Sequence, residues 1–480
     1  MSAPIRDAVL RTRREGVVTF GLPAHGPGGH VDERTAQALG LGLFRADVFS
    51  PKGIDDRRET GGYVEDAQRA AAKAWGADLC RFSTGGSTQG VQTALFATCR
   101  PGDTVLIGAN EHKSAYAMVL SMDLLPVPLA PFVDGAIGAE HGVTRDALRR
   151  ALAAHPGAKA VLVTSPTYFG TMPDIARLAD DAHAAGVPLI VDEAWGAHLP
   201  FSKALPSHAL ACGADVTITS LHKSMGALAQ GAAVFLRGER VDPDRFEYAW
   251  DLLQSSSISS PITASIDGTR AEYEARGEAL VAACLARAGR VRDAAAEAGF
   301  AVLGEGMFDG DGAFAWDPTK VTLGTAPLGA NGFEVEDWIT AEHGLYLGLS
   351  DAARLQVGIG PGKTDEMVDR LIAALRAAGA AKGWAGVPEG APGYDQLSVD
   401  LAARPSEAFF GPTEMAPLER CAGRVAAELV VPYPPGCPRL QPGQRIEPVH
   451  VAFLESQLVM GALVKGTADA SVRSLRVVRA

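Results

Sequence analysis

The chain has 480 residues, 47% of them hydrophobic and 21% charged, enough to build substantial cores in two or three domains. Its formal charge of −12 leaves no basic footprint, which argues against nucleic acid or an anionic membrane as the main partner. The six cysteines show no CxxC spacing, no apolar run approaches a membrane span, and the Arg-rich stretch from Met1 to Gly16 lacks an apolar core, so a cytoplasmic enzyme without a metal site is expected.

The first motif, Ser83-Thr84-Gly85-Gly86-Ser87-Thr88-Gln89-Gly90, opens a predicted helix in which Val91, Ala94 and Leu95 keep helical spacing. Glycines let the backbone approach a ligand closely, and the free N–H groups and dipole of a helix start favour a phosphate. Alone, the segment reads better as an ordinary Ser/Thr cap. The apolar run Thr104-Val105-Leu106-Ile107 predicts a buried strand, and His112 follows it. An imidazole at the carboxyl end of a strand can stack on an aromatic ring, although a lone loop histidine is more often simply solvated.

Residues Arg145 to Ala154 and Ile175 to Ala185 predict helices between the strands Ala160 to Val163, Pro188 to Val191, Val216 to Thr219 and Ala232 to Leu236. This is the βα rhythm of a mainly parallel sheet, whose ligands gather at the carboxyl ends of the strands. Asp192 stands at one such end, where a carboxylate can pair with a protonated pyridine nitrogen; its bland reading is a helix cap or surface acid. Trp195 either shapes a pocket wall or belongs to the core. The strand to Thr219 runs into Ser220-Leu221-His222-Lys223-Ser224, setting an amine at the sheet edge where it can form a Schiff base with an aldehyde. A typical lysine is a solvated charge, but about thirty residues separate Asp192 from Lys223. That order and spacing present one carboxylate and one amine to a pyridoxal phosphate ring, so chemistry at the α-carbon of an amino acid is the leading expectation.

After Pro261 the texture changes to long Ala/Arg/Glu helices, including Ala271 to Ala298, and then to strands at Lys320 to Leu323 and Leu355 to Gly358. The stretch from Ala377 to Pro405 is dense in Gly, Ala and Pro and is the best linker candidate. The expected architecture is α/β with a mainly parallel major domain. An N-terminal segment 1–45 packs on a partner or on the major domain 46–265, followed by a small α/β domain 266–380, a linker 381–405 and a C-terminal α+β unit 406–480.

Together these residues resemble the Orn/Lys/Arg decarboxylase family in its short form, pyridoxal phosphate enzymes of the aspartate-aminotransferase fold (fold type I). The resemblance covers nearly the whole chain and rests on Gly86-Ser87-Thr88, His112-Lys113-Ser114, Ser165-Pro166-Thr167-Tyr168-Phe169-Gly170, Asp192-Glu193-Ala194, Ser220-Leu221-His222-Lys223 and Gln254-Ser255-Ser256-Ser257. Asp317-Pro318-Thr319-Lys320, Pro432-Tyr433-Pro434-Pro435-Gly436 and Pro442-Gly443 continue it. It implies that Lys223 holds the coenzyme as an aldimine and later returns a proton to the α-carbon, that Asp192 pairs with the pyridine nitrogen, and that His112 stacks on the ring. Gly86, Ser87, Thr88, Ser220 and His222 would surround the phosphate, with Trp195 beside the coenzyme and substrate. Ser255, Ser256 and Ser257 resemble the loop that a neighbouring subunit supplies, which implies a homodimer. The reaction implied is decarboxylation of arginine, lysine or ornithine to an amine, as in polyamine biosynthesis.

Departures from the family pattern keep other readings open. The glutamate usually found just after His-Gly-Ile is replaced by Gly348 in His343-Gly344-Leu345-Tyr346-Leu347-Gly348. Arg354 resembles the arginine with which aminotransferases of this fold clamp a substrate carboxylate, although it also reads as a partner for Asp351. Trp195 stands where short-form relatives often carry His, and Pro23-Ala24-His25-Gly26 and Gln444 differ from the usual motifs. Glu193, Asp351 or an acid from a partner subunit could neutralise a basic side chain. Transamination or another α-carbon reaction is therefore the alternative, and a catalytically silent scaffold is a third reading that the retention of Lys223, Asp192 and His112 opposes.

Overall fold

The strands Val216–Thr219, Ala232–Leu236 and Lys320–Gly324 form where short runs rich in aliphatic and β-branched residues are buried along their whole length. The computed structural model describes residues 2–15, 22–48, 62–304, 310–434 and 436–479. Pro435 of the late motif lies outside the described residues, as do residues 16–21 and 49–61 on either side of the expected boundary at residue 45. The chain divides into one unit of residues 1–97 with 192–282 and a second of residues 98–191 with 283–480.

In the first unit the strand Ala232–Leu236 runs antiparallel to both Leu79–Ser83 and Val216–Thr219, pairing Ser83 with Ala232 and Thr219 with Ala233. Every residue of Ala232–Leu236 and Val216–Thr219 is buried, which is why both read as unbroken apolar or β-branched runs. The helix Gly86–Thr98 lies directly on these strands. A Cβ at Gly90 would come within 2.6 Å of Ile218 Cγ2 and 2.7 Å of Val234 Cγ2, so glycine is required there. The helix Tyr63–Trp75 buries Val64, Ala67, Ala71 and Trp75, and the Trp75 ring stacks on Phe235 at 5.0 Å. The predicted Ala271 to Ala298 helix begins earlier, as Ser260–Glu297, with Pro261 tolerated in its first turn. It breaks at Arg276 (φ −147°), where the next residue, Gly277, passes so close to Phe201 that a Cβ would sit 2.6 Å from the Phe201 Cβ.

In the second unit Thr104–Gly108 pairs in parallel with Leu125–Leu129 and with Ala160–Thr164. The helices Arg145–Ala154 and Ile175–Ala184 follow their capping residues Thr144 and Asp174, whose side chains accept from Ala147 N and Arg177 N. A four-stranded antiparallel sheet of Ala301–Val302, Lys320–Gly324, Arg354–Gly358 and Leu349–Ser350 packs with the helices Gly332–His343 and Asp365–Ala380 around Val321, Leu323, Leu355, Val335 and Leu375. The C-terminal residues build their own core from Leu440, Ile446, Phe453, Leu454 and Val477.

Residues 381–405 carry almost no regular structure, yet they are tied down throughout. Ala385 N and Gly386 N donate to Glu334 at 2.7 and 2.8 Å, and Trp384 meets Trp338 edge-on at 6.0 Å. Tyr394 packs against two guanidinium groups, that of Arg354 5.2 Å and that of Arg439 4.0 Å from its ring centroid. Arg439 is in turn paired bidentately with the buried Glu140, at 2.8 and 2.6 Å.

Candidate active site

Within the first unit, two strand ends and one helix start bring polar groups together. Ser220 follows the strand Val216–Thr219 and is buried, and its Oγ lies 2.6 Å from Ser87 Oγ in the first turn of the helix Gly86–Thr98. Gly86 has φ +72°, a conformation open to glycine, and donates its N–H to Gln230 O at 3.0 Å. Nothing lies within 4 Å of where a Cβ on Gly86 would be, so the cap faces open space. The first turn of any helix presents N–H groups that the helix does not use, here at Ser87 and Thr88. An anionic group such as a phosphate fits this cradle.

The short helix Leu221–Ser224 carries the next two groups. His222 Nδ1 meets Gly231 O at 3.0 Å, so Nδ1 carries the proton and donates. Burial, with Lys223's positive charge adding to it against that hydrogen bond, holds the His222 pKa below the usual imidazole value. Lys223 is exposed, and its Nζ lies over the Trp195 ring, 4.4 Å from the centroid. Asp192 is buried and its Oδ1 accepts from Ala194 N at 3.0 Å, which fixes the carboxylate at the end of its strand. The first unit thus brings together Gly86, Ser87 and Ser220 at one point, and Lys223 and Trp195 at another.

Glu193 turns the other way. Its Oε1 accepts from Ala209 N at 2.7 Å while Oε2 is buried without a hydrogen-bond partner. Burial, against the lowering effect of the Ala209 hydrogen bond and with the negative charge of Asp192 adding to it, pushes its carboxyl pKa well above the usual range. Ser255, Ser256 and Ser257 are exposed after the helix Pro243–Leu253, and the first two line a cavity of about 370 Å3 together with Gln254, Arg81 and Trp250.

The second unit holds the remaining candidates. His112 Nδ1 accepts from Ser114 N at 3.2 Å and faces Ser114 Oγ at 3.0 Å, so its proton sits on Nε2. Glu111 supports this turn from beneath: Oε1 accepts from His112 N at 3.0 Å and Oε2 from Thr164 Oγ1 at 2.9 Å. A C-terminal loop seats the same turn, with Lys113 N donating to Gly436 O at 3.1 Å and Cys437 Sγ to Asn110 O at 2.9 Å. Gly436 has φ +97°, and a Cβ there would lie 3.1 Å from His112 Cδ2.

Arg354 is buried, as is Asp351, and the two are ion-paired at 2.8 Å. Its Nη1 donates to Ile137 O at 2.8 Å, and its guanidinium also lies over Phe169, 4.9 Å from the ring centroid. This is the Asp351 pairing that the sequence offered, in a buried rather than a surface setting, and it occupies Asp351 as well. Gly348 (φ +97°) donates its N–H to Glu336 Oε1 at 3.0 Å. Sequence reasoning passed over Glu111, Gln89, Gln254 and Glu336. Gln89 and Gln254 stand inside recognised motifs without a role, Glu111 immediately precedes one, and Glu336 carried no signal.

Among the described residues no helix is long and apolar enough to cross a membrane, and no cluster of His, Cys, Asp or Glu is placed to hold a metal ion. Residues 3–320 match the family description "Orn/Lys/Arg decarboxylase, major domain", and residues 396–462 match its C-terminal domain. The arginine decarboxylase of Bacillus subtilis (strain 168) is 32% identical over 99% of this chain and 98% of that protein. The structure of the Escherichia coli constitutive lysine decarboxylase superposes with a TM-score of 0.79 at 20% identity, covering 100% of this chain and 82% of the other. A Bacillus subtilis ureidoglycine-glyoxylate aminotransferase shares the fold more distantly, with a TM-score of 0.53 at 14% identity over 66% of this chain and 84% of the other.

Proposed function

The chain belongs to the Orn/Lys/Arg decarboxylase family, has the aspartate-aminotransferase-like α/β fold and is an amino acid decarboxylase; from that premise we propose that it removes CO2 from arginine with the help of pyridoxal phosphate. The observation that carries the coenzyme reading is that one strand end, running from Ser220 into the short helix Leu221–Ser224, supplies both a member of the phosphate cradle and an exposed amine. Lys223 Nζ rests on Trp195, and Ser87 and Ser220 meet at 2.6 Å beside the open Gly86 turn. When bound, pyridoxal phosphate supplies an electron sink for the charge left on the α-carbon as CO2 departs.

The chain's own residues then have separate tasks. Lys223 Nζ holds the coenzyme through its amine and, once released, delivers a proton to the α-carbon. Asp192 would set its buried carboxylate against the pyridine nitrogen. His112 covers the ring, with its turn fixed by Glu111 and Ser114. Gly86, Ser87, Thr88, Ser220 and His222 hold the phosphate, and Trp195 restrains the lysine. Ser255 to Ser257, exposed on one chain, serve the site of a neighbouring chain in a homodimer.

Arginine is favoured over lysine and ornithine because the arginine decarboxylase relative, at 32% identity, matches nearly the full length of both chains. Glu193 Oε1 is bound to Ala209 N and Asp351 is paired with Arg354, which favours an acid of the partner subunit as the group facing the guanidinium. Transamination draws no support from Arg354, whose guanidinium is committed to Asp351 and Ile137. Incubating the coenzyme-loaded protein with a panel of amino acids and identifying products by mass spectrometry tests the reading. Agmatine and CO2 from arginine support it; a keto acid product would sink it.

A further inference from the structure

Gln89 sits in the first turns of the helix that starts at Gly86, with its side chain buried. Its Nε2 donates to Gln254 Oε1 at 2.7 Å, and its Oε1 lies 2.7 Å from Ser83 Oγ. The Ser83 hydroxyl has one proton, shared between Gln89 Oε1 and Gly86 O at 2.9 Å, and it accepts from Gly85 N at 3.0 Å. Gly85 packs so closely that a Cβ would lie 3.2 Å from Gln89 Cβ. Both glycines that open the cap are therefore held through Ser83 and Gln89. On the far side, Gln254 ends the helix Pro243–Leu253, donates Nε2 to Phe82 O at 3.4 Å and leads straight into Ser255 to Ser257.

Resting on the reading that this cap takes the coenzyme phosphate, we propose that Gln89 and Gln254 are positioning residues. Their hydrogen bond sets the orientation of the cap and links its order to that of the serine loop. The physical basis is the cost of an unmade bond. A buried amide that loses its partner keeps an unsatisfied donor or acceptor, and the structure around it relaxes to find water. A turn that binds anions through backbone N–H groups works only while those groups point at one place. The strut is how one chain keeps its cap aimed, and how a disturbed serine loop disturbs the cap as well.

The test is coenzyme titration of the apoprotein, followed by absorbance, comparing pyridoxal phosphate with pyridoxal, which has no phosphate. Gln89→Leu and Gln254→Leu should each weaken pyridoxal phosphate binding roughly tenfold, the usual scale for one unmade buried bond. Pyridoxal binding should stay within about twofold, and the double variant should lose clearly less than the product of the two single losses, because both singles remove the shared Gln89–Gln254 bond. Gln254→Glu retains an acceptor for Gln89 Nε2 and should keep most of the preference. If the leucine variants melt early, Gln254→Ala carries the same comparison with the same expectations. Equal losses for both ligands, or unchanged pyridoxal phosphate binding in a variant that melts like the wild type, would overturn the strut. A wild-type protein that binds the two ligands equally would refute the coenzyme reading itself, which is a different failure.

Discussion

Lys223 Nζ lies 4.4 Å from the centroid of the Trp195 ring, so the amine that sequence reasoning singled out is held by the π-face of a tryptophan. A cation over an exposed aromatic face is worth about 0.5–1 kcal/mol, enough to bias where a flexible lysine spends its time. Trp195→Ala should slow development of the coenzyme absorbance band roughly two- to fivefold, the rate equivalent of that energy. Trp195→Phe should lose less, and Lys223→Ala should abolish the band. A band that persists in Lys223→Ala would remove the covalent link from the scheme.

Glu193 predicts a pH dependence of stability. Its folded-state pKa is raised above the unfolded value by burial first and by Asp192 second. Between the unfolded pKa and the folded one, the unfolded chain has lost a proton that the folded chain still holds. Stability therefore falls as pH rises through that window, by about 1.4 kcal/mol per pH unit from this group, and its benefit is complete only below the unfolded pKa. Glu193→Gln keeps an acceptor for Ala209 N and removes the titration. Urea denaturation from mildly acid to neutral pH should show the variant with a flatter profile; parallel profiles would contradict a raised Glu193 pKa.

The Arg354 and Asp351 pair separates a structural arginine from a substrate clamp. Both partners are buried, so Arg354→Leu strands a carboxylate and should cost about 3–5 kcal/mol. The folded fraction should still release CO2 with KM within about twofold of the wild type, as expected for a site that does not bind substrate. A large rise in KM at unchanged stability would restore the clamp, and with it the transaminase reading.

At the turn before Ser114, Gly436→Ala should act on His112 from a distance in sequence of over three hundred residues. The backbone there sits at φ +97°, so a side chain costs about 1–2 kcal/mol. The new Cβ would also crowd His112 Cδ2 at 3.1 Å. The visible circular dichroism of the loaded protein should change in the same sense as for His112→Ala. An unaltered signal in Gly436→Ala, with the expected drop in Tm, would show that the loop is merely structural.

Much of the fold was legible because strand ends are written locally. Runs such as Val216 to Thr219 stop at a polar segment, and Ser220 to Lys223 then have to lie at the edge of the sheet. The helix Arg145–Ala154 begins and ends where its Thr144 cap and its apolar spacing put it. Direction is harder to read than identity: nothing in Ala232 to Leu236 says that this strand runs against both of its neighbours in the first unit, since a buried strand looks the same in either sense. Partners distant in sequence were hidden for a similar reason. That Asp351 and Ile137 share Arg354, or that Gln89 meets Gln254, depends on how the chain folds back, and a glutamine within a motif looks the same whether it is exposed or bridging. The glycine-rich stretch after Ala380 reads as a tether because its composition is flexible; its order comes from Glu334 and two aromatic anchors, Trp384 and Tyr394.

Tyr394, whose ring meets the guanidinium groups of both Arg354 and Arg439, decides how this polypeptide can be shortened. Cutting within the glycine-rich stretch, an inviting place for a protease or a cloning design, would strip an aromatic lid from two buried cations and leave Glu140 facing water in place of Arg439. The fragment ending near residue 380 should therefore be recovered as aggregates, whereas its two halves, co-expressed, should rejoin around that ring.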